Sequence, residues 1–154
     1  MLDLVHYLHI LSGTIWAGGA IFTAFVVEPA LLRLEPQAIR TFLPAAGRFA
    51  GPLMASSGIV LLLSAVGRTW LGGGVSSFTD LGSPYGLYAI LALVLVLAVT
   101  IAGGRHRSRV QAILRSEGDP RPALARNWRG QAAVTGVGIL AILAVMTILG
   151  MGLY

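Results

Sequence analysis

The chain has 154 residues, of which 56% are hydrophobic and 11% are charged. An average soluble domain, with about 25% charged residues, would carry roughly 38 charges at this length. This chain carries 17, as 11 basic and 6 acidic residues, and its mean hydropathy is +0.81. The composition excludes a disordered chain, a nucleic-acid binder and a conventional soluble enzyme, and predicts an integral membrane protein with a single domain over residues 1–154.

Four apolar segments are long enough to cross a hydrocarbon layer about 30 Å thick, which takes about 20 helical residues. They cover approximately Leu4–Val27, Phe49–Gly67, Tyr85–Gly104 and Gln131–Leu153. These runs are too long and too continuous for strands of a membrane barrel, which are about 10 residues long. The first run lacks a basic flank and a small-residue cleavage site, so we expect it to be retained. The sequence therefore predicts an all-α protein, an antiparallel bundle of four membrane-spanning helices.

The basic residues of the connections predict the orientation. All eleven are arginines, and the second connection holds only Arg68. The other ten lie in the first and third connections, at positions 33, 40, 48, 105, 107, 109, 115, 121, 126 and 129. Since arginine-rich connections stay on the cytoplasmic side, we expect both termini to lie outside a multi-pass protein of the inner (plasma) membrane. We expect the protein to contact the lipid bilayer and to associate either with further copies of this chain or with a larger membrane complex. No nucleic acid is expected among its partners.

Capping residues mark several helix ends. Ser83 followed by Pro84 predicts a cap with proline at the first helical position of the third segment. The pair Asp119-Pro120 predicts the same for a helix that runs into the fourth segment. Gly118 would terminate a cytoplasmic extension of the third segment. The stretch Pro36–Phe49 is typical of a short amphipathic helix on the inner surface.

Aromatic residues cluster at the predicted membrane interfaces. The outer belt would contain Trp70, Tyr85, Tyr88 and Tyr154, and the inner belt would contain Trp128. Their simplest role is to anchor the helices at the interface.

One face of the first segment carries its polar, small and aromatic residues. They recur at spacings of three and four, which place them on a single helical stripe: His6, His9, Gly13, Trp16, Ala20, Thr23 and Val27. Leu4, Leu8, Leu11, Ile15 and Phe22 occupy the other side, which we expect to face lipid. Gly13 and Ala17 form a small-xxx-small pair that allows close helix approach. The stripe is predicted to face the other helices.

His6 and His9 are the strongest functional signal, because ionisable groups inside spanning segments are costly and often functional. One turn apart, they could ligate one ion together, with Met151 or Met146 as a soft third ligand suited to copper. Alternatively, His9 and Met146 could ligate a haem; in either case Trp16 would form the floor of the site. The competing interpretation is a pair of interfacial histidines bonded to water, backbone or lipid head groups.

The other ionisable groups of the segments lie near their ends. We expect His106, between two arginines, to be a solvated residue of the inner surface, and Glu28 to pair with Arg33 or Arg48. No carboxylate lies at depth, which argues against a proton-driven transporter. The chain also lacks a phosphate-binding loop and a Ser/His/Asp constellation, so an enzyme working without a cofactor is not expected.

The run HYLHILSGTIWAGGAIFTAFVVEPALLRL resembles the first helix and following loop of the copper resistance D (CopD) family and its small four-helix relatives. The matching positions are His9, Trp16, Gly18, Gly19 and Pro29. The later SPYGLYAILALVLVLAV resembles the family's Tyr-Gly entry into a long apolar helix. The haem b-binding HemJ-type protoporphyrinogen oxidases have a similar histidine-containing first helix. The resemblance implies copper handling at the outer leaflet, or haem b binding with electron transfer.

Three functions therefore remain open. The leading one is a metal centre at the outer end of the bundle, used for copper handling or transfer through His6, His9 and a methionine. The second is a haem b protein that passes electrons in the membrane, with His9 as an axial ligand. The third is an accessory structural subunit without a centre of its own.

Overall fold

The computed structural model describes residues 1–154 and is helical through all four apolar segments. In chain order the elements are α1 (Leu2–Phe22), a π-helical turn (Thr23–Val27), α2 (Glu28–Leu31), α3 (Pro36–Leu71), a 3-10 turn (Phe78–Gly82), α4 (Pro84–Arg115) and α5 (Arg121–Met151). Helix α1 continues through the π-helical turn into α2, and this unit and the other three long helices are each long and apolar enough to cross a membrane. The all-α prediction with four long apolar helices is confirmed.

The helix starts follow the predicted capping residues at α4 and depart from them at α5. The Ser83 hydroxyl accepts a hydrogen bond from the backbone N–H of Gly86 at 3.1 Å, with Pro84 at the start of the helix. At α5, Pro120 lies outside the helix, which begins at Arg121, so the predicted start was one residue early. The Arg121 side chain, 2.7 Å from the Asp119 carboxylate, holds the pKa of Asp119 below its usual range.

The prediction of a separate surface helix at Pro36–Phe49 is wrong. Pro36 begins α3, which runs without interruption to Leu71 and includes Pro44 and Pro52. Each internal proline removes one backbone N–H, but breaking the helix would leave several more groups unpaired in an apolar medium. Arg40 also ties this part of α3 to the protein: its guanidinium donates to the carbonyls of Leu114, Ser116 and Gly118.

A tryptophan forms the meeting point of the four long helices. Trp16 of α1 is 7% exposed and lies in one apolar cluster with Leu61 of α3, Val96 and Val99 of α4, and Ile139 of α5. Most other large apolar side chains are exposed, as expected where the surrounding medium is lipid rather than water. The core is therefore narrow and lies along the contacts between helices.

Glycines bring helices close together at two places. A Cβ at Gly19 would lie 2.6 Å from Sδ of Met54, and one at Gly138 would lie 2.4 Å from Cγ2 of Val99. At Gly13 the corresponding distance to Leu61 is an ordinary 3.4 Å. Gly19 thus leaves space for the Met54 side chain of α3, while the close approach predicted at the Gly13–Ala17 pair stays a prediction.

The connection between α3 and α4 is ordered by a carboxylate. Asp80 accepts hydrogen bonds from the backbone N–H groups of Ser76 and Ser77, both at 2.8 Å. These bonds, that from Ser76 first, lower the pKa of the Asp80 carboxyl. Beside this turn, Phe78 packs edge-on against Trp70, with ring centroids 5.8 Å apart.

Candidate functional site

His9 lies half-buried between α1 and α3, and its surroundings fix its hydrogen-bonding state. Nδ1 of His9 is 3.2 Å from the hydroxyl oxygen of Ser64. The same hydroxyl lies 3.0 Å from the carbonyl of Leu61, and when it donates its single proton there it accepts from the ring. In this arrangement Nδ1 of the neutral His9 ring carries the proton, and Nε2 keeps its lone pair. Metal-ligating histidines characteristically have this arrangement, with one nitrogen held by a protein acceptor and the other open.

Two of the other predicted ligands are more exposed than His9. His6 is exposed and Met151 is 66% exposed, whereas Met146 is half-buried like His9. None of them belongs to the hydrogen bond or to the apolar cluster that hold His9 and Trp16. No three His, Cys, Asp or Glu side chains gather into one group in the chain. The ligand set of His6, His9 and Met151, and the alternative of His9 with Met146, remain predictions.

The polar stripe of α1 faces the other helices over most of its length. Trp16 is buried and His9, Gly13, Ala20 and Val27 are partly buried, whereas His6 and Thr23 are exposed. The opposite face is exposed at Leu4, Leu8, Leu11 and Phe22, with Ile15 partly buried. His6, at the start of the stripe, thus lies at the edge of the contact between helices.

A second polar cluster lies at the arginine-rich end of the molecule. Nε2 of His106 on α4 is 2.6 Å from Oε1 of Glu28, and Nδ1 of His106 is 2.9 Å from Nδ2 of Asn127 on α5. His106 is 9% exposed. Three side chains from α2, α4 and α5 therefore form a continuous hydrogen-bonded chain with the imidazole in the middle.

The π-helical turn next to Glu28 frees a backbone acceptor for α5. The backbone N–H of Glu28 bonds to the carbonyl of Thr23, five residues back, instead of to that of Ala24. The freed carbonyl of Ala24 accepts a hydrogen bond from Nε1 of Trp128 at 2.6 Å. Pro29 follows directly, and proline both lacks an N–H and crowds the carbonyl four residues earlier. The widened turn thus accommodates the proline and docks α5 through Trp128.

A cleft of about 60 Å³ opens beside this cluster. Glu28 and His106 are its ionisable lining groups; Thr23 and Trp128 also line it, and the rest of its wall is apolar. A buried water needs about 10–15 Å³ of such volume and two or more polar partners. The cleft therefore has room for water next to the carboxylate–imidazole pair.

This cluster overturns two expectations from the sequence. Glu28 pairs with His106 rather than with Arg33 or Arg48, and His106 is buried rather than solvated. Trp128, predicted as an interface anchor, also donates its indole N–H to a helix carbonyl. The available signal was weak: Glu28 and His106 both end apolar segments on the predicted cytoplasmic side, at a similar depth.

Comparison with known proteins finds no significant match to a protein-family model, to a curated protein or to a solved structure.

Proposed function

We propose that this chain is a multi-pass protein of the inner (plasma) membrane that binds a metal centre through His9 at the outer end of an antiparallel four-helix bundle. Copper is the proposed metal, and both termini are proposed to lie outside. The observation that carries the proposal is the Nδ1 contact of His9 with Ser64, which leaves Nε2 open.

Contacts at the two ends of the molecule support the antiparallel arrangement. At one end, His9 near the start of α1 meets Ser64 near the end of α3. There too, Tyr85 at the start of α4 packs edge-on against Tyr154, which follows α5, with centroids 5.3 Å apart. At the other end, Glu28 meets His106 in the second half of α4. This second end carries ten of the eleven arginines, which by the positive-inside rule places it in the cytoplasm.

The donor set at the outer end suits copper in its chemistry. Imidazole nitrogen binds copper generally, and thioether sulfur favours Cu(I). His6 lies one turn from His9, and the methionines at positions 146 and 151 lie in the last turns of α5. The resemblance of the first segment to the copper resistance D family adds to this choice of metal.

A haem b centre is the second candidate, and a specific observation favours it. Of the three predicted copper ligands, only His9 is partly enclosed by the protein, whereas His6 and Met151 are exposed. Haem iron can be held by a single histidine from the protein, so a haem centre at His9 does not need His6 or Met151 as ligands. The Nδ1 contact with Ser64 would orient the ring equally well for either metal.

A Cu(I) affinity measurement tests the proposal. The detergent-purified chain would compete with a chromophoric Cu(I) chelator under anaerobic conditions, and the absorption spectrum would be recorded for a haem band. We expect one Cu(I) per chain and loss of binding in His9→Ala. Ser64→Ala is expected to weaken binding by about 10–100-fold, the usual effect of removing a group that orients a ligand.

Ser56→Ala is the matched control, since Ser56 is an exposed serine on the same helix that bonds only to the carbonyl of Leu53. A haem band lost in His9→Ala would decide for the second candidate. Equal Cu(I) binding by the native chain and by His9→Ala would refute a copper site at His9. Absence of both signals, with partner subunits co-purifying, would instead favour the accessory role.

A further inference from the structure

We propose that Glu28, His106 and Asn127 form a proton-binding site, which takes up one proton from water at the arginine-rich end without losing a hydrogen bond. The site is separate from the proposed metal centre: Glu28 lies 19 residues after His9 along a continuous helical unit, which corresponds to about 28 Å.

The hydrogen bonds determine how the site works when it is unprotonated. The Asn127 amide group donates to Nδ1 of His106 at 2.9 Å, so Nδ1 is an acceptor and the ring proton is on Nε2. Nε2 donates that proton to the Glu28 carboxylate at 2.6 Å. In this state the ring is neutral, the carboxylate is ionised, and the cluster carries one negative charge.

Asn127 allows the same cluster to hold a second ring proton. An amide side chain presents a donor and an acceptor of nearly the same shape, so a half-turn about its last bond exchanges them. After protonation, Nδ1 of His106 donates to Oδ1 of Asn127, while Nε2 still donates to Glu28. The cluster is then a neutral ion pair, and both ring nitrogens remain bonded in either state.

The cleft supplies the route for the proton. It has room for a few waters and is lined by both Glu28 and His106. No other charged side chain lines it, although α2, α3, α4 and α5 all contribute to its wall. The neighbouring arginines are exposed at 33, 105, 107, 126 and 129, and Arg40 is engaged by carbonyls at the end of α4. Proton exchange at the site therefore depends on the cleft's water and on these two groups.

Nitrogen-15 NMR of the histidine-labelled, detergent-purified chain tests the proposal, with His106→Gln used to assign the His106 signals. The spectra are recorded across the pH range in which the chain stays helical. At the higher pH the His106 ring is expected to carry one proton, on Nε2, and at the lower pH two protons, with the fold intact. In Asn127→Asp the new carboxylate faces Nδ1 of His106 while Glu28 still faces Nε2, so the ring is expected to remain doubly protonated at the higher pH. Gln131→Glu, also on α5, is the matched control because Gln131 bonds to Thr135 and not to His106.

Asn127→Leu provides an independent test should the aspartate variant fail to fold. It removes the acceptor that Nδ1–H needs, so the constant for binding the second ring proton of His106 is expected to fall by about tenfold. The proposal is overturned if the native His106 stays neutral at the lower pH, or if helical structure is lost as it is protonated. It is equally overturned if Asn127→Asp and Gln131→Glu leave His106 in the same state. None of these outcomes depends on metal binding at His9.

Discussion

Replacing Trp128 by phenylalanine tests how α5 is docked onto the π-helical turn. The substitution keeps an aromatic ring and removes the N–H that bonds to the carbonyl of Ala24. Ala24 is 3% exposed, so bulk solvent does not reach its carbonyl in the native chain. The backbone N–H of Glu28, the usual donor to that carbonyl, is committed to Thr23. The carbonyl of Ala24 is therefore left without a donor in the variant.

The expected loss follows from these contacts. Hydrogen bonds within membrane proteins average about 0.6 kcal/mol in double-mutant cycles, whereas leaving a buried acceptor unpaired costs about 1–3 kcal/mol. Since the substitution leaves the buried carbonyl of Ala24 without a protein donor, we expect Trp128→Phe to lower the free energy of unfolding by about 1–3 kcal/mol. The assay is reversible unfolding in mixed micelles with increasing SDS, followed by far-ultraviolet circular dichroism.

Trp70→Phe is the control for this prediction. Trp70 is 42% exposed and its side chain has no hydrogen-bond partner in the protein, so its replacement is expected to change the free energy of unfolding by less than about 0.5 kcal/mol. Equal losses in the two variants would show that the bond between Trp128 and Ala24 contributes nothing, and the reasoning about the π-helical turn would be refuted.

Three further predictions concern the opposite end of the molecule and its orientation. Gly86→Ala would place a Cβ 2.5 Å from the backbone oxygen of Asp80 and is expected to lower the free energy of unfolding by about 1–3 kcal/mol. In the control Gly82→Ala the added Cβ meets no atom within 4 Å, so the free energy of unfolding should not fall in this way. The pKa of Asp80 is lowered in the folded chain from the ordinary value of 3.8. Its carboxylate therefore stabilises the fold at pH values above 3.8, and this stability is lost as the pH falls through the lowered pKa of the folded chain. Asp80→Asn should therefore destabilise the protein at neutral pH and not in strong acid, and an equal loss at both pH values would contradict this. The chain has no cysteine, so Thr79→Cys should react with an impermeant maleimide on intact cells and Glu117→Cys only on opened membranes; the reverse pattern would invert the orientation.

The apolar composition of the segments was enough to predict most of the fold. Runs of about 20 apolar residues must be helical in lipid to satisfy their backbone groups, and each predicted run overlaps one long helix. Local capping chemistry also located the start of α4 at Ser83 and Pro84. Such features depend on neighbouring residues only, which is why a single sequence reveals them.

Helix lengths were harder to predict. The predicted cytoplasmic extension of the third segment is confirmed, since α4 continues to Arg115, but α3 begins as early as Pro36, well before its apolar run. Hydropathy marks where a helix is in lipid, and it does not mark where the helix ends. The predicted separate helix at Pro36–Phe49 is instead the first part of α3, which continues through Pro44 and Pro52 although neither proline has a backbone donor.

The polar pairings were the least predictable part. Glu28 and His106 are 78 positions apart, and no local pattern indicates that they meet. The π-helical turn is equally hidden, although Pro29 marks its position. His9 was identified because an ionisable residue inside an apolar run is conspicuous, whereas its partner Ser64 is an ordinary residue in such a helix.

The metal content and absorption spectrum of the chain as purified from its membrane test the proposed function most directly. We expect about one copper per chain, by elemental analysis, in the native protein and in Ser56→Ala, and little or none in His9→Ala. A haem band that disappears in His9→Ala would keep the centre at His9 and change its identity. Native and His9→Ala proteins with the same metal content and the same spectrum would contradict the central claim that His9 holds a metal centre.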